Sequence, residues 1–128
     1  MIPFCREEGV GLTPYSPLAR GVLSGTRQRG GGGVTERARE DKRADVFLSD
    51  DCFEIVDRVV AIARERGVKP AQVALAWLLH QPGLVAPVMG ATALEQLDDA
   101  AAAVELTLDE AQLAALAAPY RPRAPIGG

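Results

Sequence analysis

The stretch GVGLTPYSPLARG, residues 9–21, decides the fold class of this chain. It opens with a short apolar run that Pro14 and Pro17 close, which is typical of a buried strand ending in a loop. A second apolar run, residues 84–89, is interrupted by Pro87 and leads through Gly90 into a helical pattern. Helical segments separate the two runs, so we expect parallel strands joined by helical crossovers, the unit of α/β folds.

Helical patterns account for most of the remaining chain. Residues 1–8 resemble the last turns of a helix that Gly9 ends, with no capping residue upstream. Apolar spacing and caps predict helices from Ser49 or Asp50 to Gly67, from Pro70 to about residue 81, from residue 94 to 104, and from a Thr107/Glu110 capping box to residue 116. Two strands are too few to form a sheet on which all these helices could pack. We therefore expect this chain to be part of a larger βα assembly.

Length and composition are typical of one globular domain, with 128 residues of which 48% are hydrophobic and 24% charged. No apolar run reaches the length of a membrane span and residues 1–8 lack the core of a signal peptide, so we expect a cytoplasmic protein outside the membrane. The net charge of −3 gives no reason to expect nucleic acid. Cys5 and Cys52 show neither a disulfide pattern nor zinc-ligand spacing.

A Gly/Arg-rich segment at about residues 26–45 interrupts these patterns. Seven of the 14 basic residues fall between Arg20 and Arg43, and Gly30 to Gly33 are consecutive glycines. We predict a long mobile loop here. Two interpretations stay open: a solvated loop, or a loop whose guanidinium groups hold phosphate in bidentate geometry.

Candidate catalytic groups are few. His80 is the sole histidine, at the end of an apolar helical pattern, and a structural or surface role is favoured over proton transfer. The paired carboxylates Asp50–Asp51 and Asp98–Asp99 are typical of helix caps or solvated faces. No Ser/His/Asp arrangement, metal-ligand cluster or GxxxxGK[ST] loop is present. We therefore predict no catalytic residue and no metal site in this chain.

Two segments are better candidates for binding an anionic nucleotide than any group in this chain is for catalysis. Residues 15–21 follow directly on one predicted strand, at the end where α/β folds place their ligands. Residues 90–96 follow the other strand and open a helix, whose first N–H groups and positive dipole end attract phosphate. Each segment alone is also explained as a βα turn that needs glycine and a cap, so the hypothesis depends on finding both.

Three motifs in this chain resemble the C-terminal region of aldo-keto reductases. They are TPYSPLARGVLSG at residues 13–25, PAQVALAWLL at residues 70–79 and VMGATALEQLDDA at residues 88–100. The resemblance is strongest to the aryl-alcohol-dehydrogenase-like members, which are similar to the potassium-channel β subunits. It covers the chain apart from the Gly/Arg-rich segment, so residues 1–128 are interpreted as a partial aldo-keto reductase domain.

The resemblance implies the C-terminal part of a (β/α)8 TIM barrel: the end of helix 6, strand 7 at residues 10–15, helix 7, strand 8 at residues 84–89, helix 8 and a C-terminal helix. It also implies NADPH as cofactor, bound after strands 7 and 8. Tyr15 would stack on the nicotinamide, and Ser16, Pro17, Leu18, Ala19 and Arg20 would line the pyrophosphate and adjoining ribose. Gly90, Thr92 and Gln96 match positions at the adenosine 2′-phosphate, Asp99 matches an acidic position that takes the adenine amine, and Arg37 matches an arginine that helps hold the phosphate.

Three departures from the family pattern affect this expectation. Thr26 stands where many relatives have lysine, and Ala100 stands where they have asparagine; both changes weaken cofactor contacts, and Arg27 is the nearest side chain that could compensate for the lysine. The family's catalytic tyrosine, lysine, aspartate and histidine come from the first half of the barrel, and no residue here corresponds to them.

The implied reaction is hydride transfer from NADPH to a small aldehyde or ketone, with this chain supplying the cofactor-binding part. Alternatives are one half of a split enzyme, completed by a separate N-terminal half-barrel, and a non-catalytic nucleotide-binding or structural module. Half a barrel leaves strand edges and apolar faces uncovered, so self-association is a further expectation.

Overall fold

A computed structural model of the 128-residue chain describes residues 1–30, 33 and 35–122, except the side chains of Arg37 and Ala38. Six α-helices lie in this part of the chain: α1 (Ile2–Glu7), α2 (Glu36–Glu40), α3 (Asp50–Arg66), α4 (Pro70–Leu79), α5 (Leu94–Glu105) and α6 (Glu110–Ala117). Two short 3₁₀ helices, Ala19–Gly21 and Lys42–Phe47, precede α3. The described chain is thus mostly helical.

The core lies between α3, α4 and α6. Val59 and Ile62 of α3, Val73 and Ala76 of α4, and Leu116 of α6 are buried together. These positions repeat at three- and four-residue spacing, so one face of each helix is apolar. The indole N–H of Trp77 also donates to the carbonyl of Leu113 at 3.3 Å, which joins α4 to α6.

The predicted strands pair in parallel, but they do not form extended strands within the described residues. Two isolated parallel bridges join Leu12 to Leu84 and Tyr15 to Val88. Three backbone hydrogen bonds accompany them: Leu12 N–H to Gly83 C=O, 2.9 Å, Val85 N–H to Leu12 C=O, 2.9 Å, and Val88 N–H to Pro14 C=O, 2.8 Å. The expectation of continuous strands at residues 10–15 and 84–89 is wrong, because Pro14 and Pro87 have no N–H to give to the ladder.

Gly11 is required where these two segments meet. A Cβ built at this position would collide with Cγ2 of Val85. The absence of a side chain at residue 11 therefore leaves room for the Val85 side chain to pack against this backbone.

Helix boundaries follow the predicted signals, with one exception. Gly9 and Gly67 take left-handed conformations, φ 67° and 66°, just beyond α1 and α3, as expected. The predicted Thr107/Glu110 capping box is wrong: Asp109 caps α6, accepting from Gln112 N–H at 2.8 Å, while Gln112 Oε1 accepts from Asp109 N–H. The box is thus shifted by two residues, and the carbonyl of Thr107, before the cap, accepts from Arg66 of α3 at 3.0 Å.

The Gly/Arg-rich segment has more structure than expected of a loop. Helix α2 and the second 3₁₀ helix lie within or at the end of residues 26–45, and Arg27 forms an antiparallel bridge with Gly33. Ala44 is fully buried against Val22, Phe53 and Val56. A small apolar cluster therefore attaches the end of this segment to α3.

Large apolar side chains are exposed along α1, the paired segments and α5. They are Met1, Ile2, Phe4, Val10, Val85, Val88, Leu94, Leu97 and Val104. Burying such side chains against another surface would be favourable by roughly 25 cal/mol per Å². No helix in the described part of the chain combines the length and the apolar character that a membrane span requires.

Replacing Val73 by alanine is expected to lower the free energy of unfolding by about 2 kcal/mol, because it removes two carbons and leaves a cavity. Val73 is 0% exposed in the contact between α3, α4 and α6. The matched control is Val104→Ala on α5, 67% exposed, with an expected change within about 0.5 kcal/mol. Denaturant titration followed by circular dichroism measures both, and equal effects would contradict this core.

Candidate functional site

The structure brings the two predicted binding segments to the same edge of the paired strands. We name residues 15–21 the first turn and residues 90–96 the second turn. Tyr15, which opens the first turn, pairs in parallel with Val88, two residues before Gly90. The carboxyl ends of parallel strands share one edge, so both turns leave the strands side by side.

The first turn has an unusual backbone. Ser16, Ala19 and Arg20 have positive φ values of 52°, 46° and 56°, and they are the non-glycine residues with positive φ in the described chain. Each costs about 1 kcal/mol or more relative to an ordinary conformation. Such strain concentrates at functional sites, where the surrounding structure enforces it. Tyr15 is 83% exposed, so its ring is accessible.

The core enforces the conformation of the first turn. Leu18 packs against the cluster of α3, α4 and α6, and Val22, directly after the turn, is 1% exposed between Phe53, Val56 and Ala44. Within the turn, Ala19 N–H donates to Ser16 C=O and Gly21 N–H donates to Leu18 C=O, at 2.9 and 3.0 Å. The turn is therefore anchored on both sides of its strained residues.

Asp41 joins two arginines beneath the first turn. Its Oδ2 accepts from Nε of Arg20 at 2.8 Å and lies 3.9 Å from Nη2 of Arg27. The Arg27 side chain is 2% exposed and also donates to the carbonyl of Arg20 at 3.4 Å. The hydrogen bond from Arg20 lowers the pKa of the Asp41 carboxyl below its ordinary value, against the opposing effect of desolvation.

An open groove of about 460 Å³ lies beside this network, lined by Arg20, Asp41, Glu36 and Glu40. Carboxylates outnumber the guanidinium there. An anionic ligand is therefore disfavoured in this groove.

The residues after the first turn are occupied by internal contacts. Thr26, at the position where relatives have lysine, donates its hydroxyl to Gly21 C=O at 2.9 Å, beside Ser24, whose hydroxyl donates to the same oxygen at 2.8 Å. Arg27 is buried against Asp41. It does not replace the lysine as a surface cation.

The second turn is open and polar. Thr92 N–H donates to Oε1 of Gln96 at 2.9 Å, so these two predicted residues lie in direct contact at the start of α5. A Cβ added at Gly90 would meet nothing within 4 Å. The backbone beside Gly90 is accordingly approachable from outside.

Asp99 lies further along α5 and has a partner within the chain. Its Oδ2 accepts from Nζ of Lys69 at 2.8 Å, and its side chain is 19% exposed. The hydrogen bond from Lys69 to Asp99 raises the pKa of the lysine above its ordinary value. Asp99 is thus a paired carboxylate near the middle of α5, three residues after Gln96.

Arg37 lies on α2 by its backbone, and its side chain is outside the described residues. His80 is exposed at the end of α4, with Nδ1 2.7 Å from the carbonyl of Ala76, as expected of a structural histidine. Among the described residues, no group of three His, Cys, Asp or Glu side chains is placed to hold a metal ion.

Asp41 and Lys69 were not among the residues predicted from the sequence. Asp41 is 21 residues from Arg20, and Lys69 is 30 residues from Asp99, so each pair forms only through tertiary packing. The excess of arginine at residues 26–45 could have pointed to a carboxylate partner within that segment.

α/β proteins commonly bind their ligands at two such turns that leave one edge of a parallel backbone pairing. The sequence pattern of the Aldo/keto reductase family matches residues 1–121. The chain belongs to this family.

Similarity to individual proteins supports the assignment to this family. The chain is 40% identical over 129 residues to a Schizosaccharomyces pombe protein that carries the name of an aryl-alcohol dehydrogenase, covering 100% of this chain and 35% of that protein. It is 37% identical over 133 residues to versiconal hemiacetal acetate reductase of Aspergillus parasiticus, covering 97% of this chain and 36% of the relative.

A solved structure gives the same result for the fold. A thermostable aldo-keto reductase in complex with the inhibitor epalrestat superimposes with a TM-score of 0.64 at 27% identity, over 93% of this chain and 33% of that one. The chain therefore spans about a third of the length of the relatives it matches.

The Arg20–Asp41 pair makes stability depend on pH. Because the folded pKa of Asp41 is lowered from 3.8, its contribution is present above that value and is lost as pH falls through the folded pKa. We expect Asp41→Asn to be less stable than the unmodified chain at pH 7 and to lose less stability between pH 6 and pH 3.

The control is Asp45→Asn, which removes an exposed carboxylate from the neighbouring 3₁₀ helix. Urea titrations at each pH give the free energies of unfolding. If both variants followed the pH curve of the unmodified chain, Asp41 would have no special partner in the folded state.

Proposed function

We propose that this chain supplies the NADPH-binding, C-terminal part of an aldo-keto reductase that reduces aldehydes or ketones. The observation that supports it most is the Tyr15–Val88 bridge, which sets the two turns beside each other. Family membership supports the class of reaction. When bound, NADPH supplies the hydride that such a reduction requires.

The residues of the first turn fit the nicotinamide and pyrophosphate end of this cofactor. Tyr15 offers an exposed aromatic face for stacking. Ser16 offers a hydroxyl, and Arg20, whose Nε is held by Asp41, keeps further guanidinium N–H groups for an anion. Pro17, Leu18 and Ala19 shape the backbone between them.

The second turn fits the adenosine end. Thr92 and Gln96 are polar, exposed and in contact, and the open space at Gly90 lets a ligand approach the backbone. The start of α5 adds a positive dipole end that favours phosphate. Asp99 offers a carboxylate that accepts from an exocyclic amine, and Arg37 is a further candidate on α2.

Proton donation is assigned to another part of the barrel. The family resemblance places the catalytic tyrosine, lysine, aspartate and histidine in segments that residues 1–128 do not match. The role proposed for this chain is therefore to bind and orient the cofactor. The exposed apolar side chains of α1, the paired segments and α5 would be covered by the other strands and helices of a barrel, or by a second copy.

The substrate proposed here is a small carbonyl compound. Two relatives are named for an aryl-alcohol dehydrogenase and a hemiacetal acetate reductase. Both names describe chemistry at an alcohol or carbonyl carbon.

Calorimetric titration of NADPH into the 128-residue chain tests this function, with circular dichroism on the same sample to check folding. Saturable binding with one site per chain is the expected result. A chain with the helical content of α1 to α6 that does not bind NADPH would overturn the proposal.

Replacing Tyr15 by leucine is expected to weaken NADPH binding about tenfold or less, because an aromatic stacking contact contributes about 0.5–1.5 kcal/mol. Tyr120→Leu is the matched control, since Tyr120 is also exposed, 65% against 83%, but lies after α6. Calorimetry of both variants checks the assignment. Equal affinities for the two would remove Tyr15 from the site.

A further inference from the structure

Arg20 of the first turn is held at both its backbone and its side chain. Its backbone is left-handed, with φ 56° and ψ 36°, and its side chain is 30% exposed. The Nε of its guanidinium donates to Oδ2 of Asp41 at 2.8 Å. A guanidinium has five N–H donors in one rigid plane, so this bond limits the directions in which the other four can point.

The carboxylate of Asp41 is itself fixed by its surroundings. Its Oδ1 accepts from Arg43 N–H at 3.2 Å and so caps the second 3₁₀ helix. Its Oδ2 lies 3.9 Å from Nη2 of Arg27, whose side chain is 2% exposed. Ala44, in the same short helix, is fully buried in the cluster that attaches this segment to α3. Asp41 is therefore a rigid support for Arg20, although the two lie 21 residues apart in the chain.

Capping explains only one oxygen of Asp41. The cap uses Oδ1, whereas Oδ2 is directed at two arginines. Of these, Arg27 is buried and Arg20 is accessible from outside. The effect of Oδ2 that a ligand can meet is therefore the orientation of Arg20.

Two other carboxylates line the same groove as Arg20 and Asp41. They belong to Glu36 and Glu40 of α2, and both residues are exposed. A long arginine side chain has many rotamers, so without Asp41 its guanidinium is free to turn to either glutamate. It would then lie in the groove in which an anion is disfavoured. Asp41 limits this competition by holding Nε.

We propose that Asp41 is a positioning residue for the cofactor, which holds the guanidinium of Arg20 ready for the pyrophosphate of NADPH. This inference rests on the function proposed above, which assigns Arg20 to the pyrophosphate. Ordering a long side chain during binding costs free energy, and a side chain that is ordered beforehand avoids this cost. Asp41 therefore raises the affinity for ligands that carry the pyrophosphate, without touching them itself.

The test compares Asp41→Asn with Asp45→Asn, which removes an exposed carboxylate from the second 3₁₀ helix. Calorimetry is performed with NADPH and with adenosine 2′-monophosphate, which has the adenosine end of the cofactor but no pyrophosphate. Asp41→Asn is expected to weaken NADPH binding about threefold to tenfold and to leave the affinity for the monophosphate unchanged. Asp45→Asn keeps both affinities. If Asp41→Asn weakens both ligands equally, or neither, the inference is overturned.

A double-mutant cycle tests whether Asp41 acts through Arg20. Arg20→Met removes the guanidinium and is expected to weaken NADPH binding about tenfold. In this background Asp41→Asn is expected to have no further effect, because no guanidinium remains to be oriented. Additive losses in the double variant would mean that Asp41 supports the turn independently of Arg20, and they would overturn the inference.

Arg20→Lys tests the orientation while Asp41 stays in place, so the inference remains open to test if Asp41→Asn does not fold. Lysine keeps the charge but lacks Nε and the planar arrangement of donors. NADPH binding is therefore expected to fall nearly as far as in Arg20→Met. Undiminished affinity would show that charge alone suffices and that no positioning is needed. Circular dichroism on each variant checks folding.

Failure of the proposed function has a separate signature, which is that the unmodified, folded chain does not bind NADPH. Equal NADPH affinities of the unmodified chain and Asp41→Asn would leave the cofactor site in place. They would overturn only the role of Asp41.

Discussion

Three backbone hydrogen bonds between residues 12–14 and 83–88 are the constraint on which the site depends. They hold together two segments that are about 70 residues apart in the chain, and they align the points from which both turns emerge. Each turn taken alone connects one of the paired segments to the helices that follow it. Their parallel alignment is what makes a common ligand possible.

The helices give this alignment its rigidity. Val22 and Leu18 fix the first turn to the apolar faces of α3 and α4, and this packing maintains positive φ values at Ser16, Ala19 and Arg20. Charged residues contribute through ion pairs between separate segments. The network of Arg20, Arg27 and Asp41 and the pair of Lys69 with Asp99 link segments across the fold, each at the margin of one turn.

The sequence predicts the features that depend on local chemistry. Pro70 at the start of α4 and Gly67 after α3 follow from backbone geometry, and periodic apolar residues locate the buried helix faces. The parallel pairing follows from the two short apolar runs. The length of the pairing could not be predicted in this way. Pro14 and Pro87 each lack an N–H, and whether that removes a hydrogen bond depends on which backbone groups lie opposite them.

In the candidate site, too, some residues could be predicted from the local sequence and others only from the folded structure. Tyr15, Thr92 and Gln96 follow the predicted strands; the structure pairs Tyr15 with Val88, and it brings Thr92 into contact with Gln96. Asp41 and Lys69 belong to other segments, and only the packing of the folded chain brings them to Arg20 and Asp99. The Gly/Arg-rich segment was expected to be a loop because its composition resembles one, whereas burial of Ala44 gives part of it a fixed place.

Gly11 has a consequence for how the chain selects its alignment. A Cβ at residue 11 would collide with the Cγ2 methyl group of Val85 as it is placed in the structure. A slip of one residue in either direction would bring the side chain of Val10 or Leu12 to this point and would be rejected sterically. The absence of a side chain at residue 11 thus favours a single register of the two segments. In that register the two turns have one relative position.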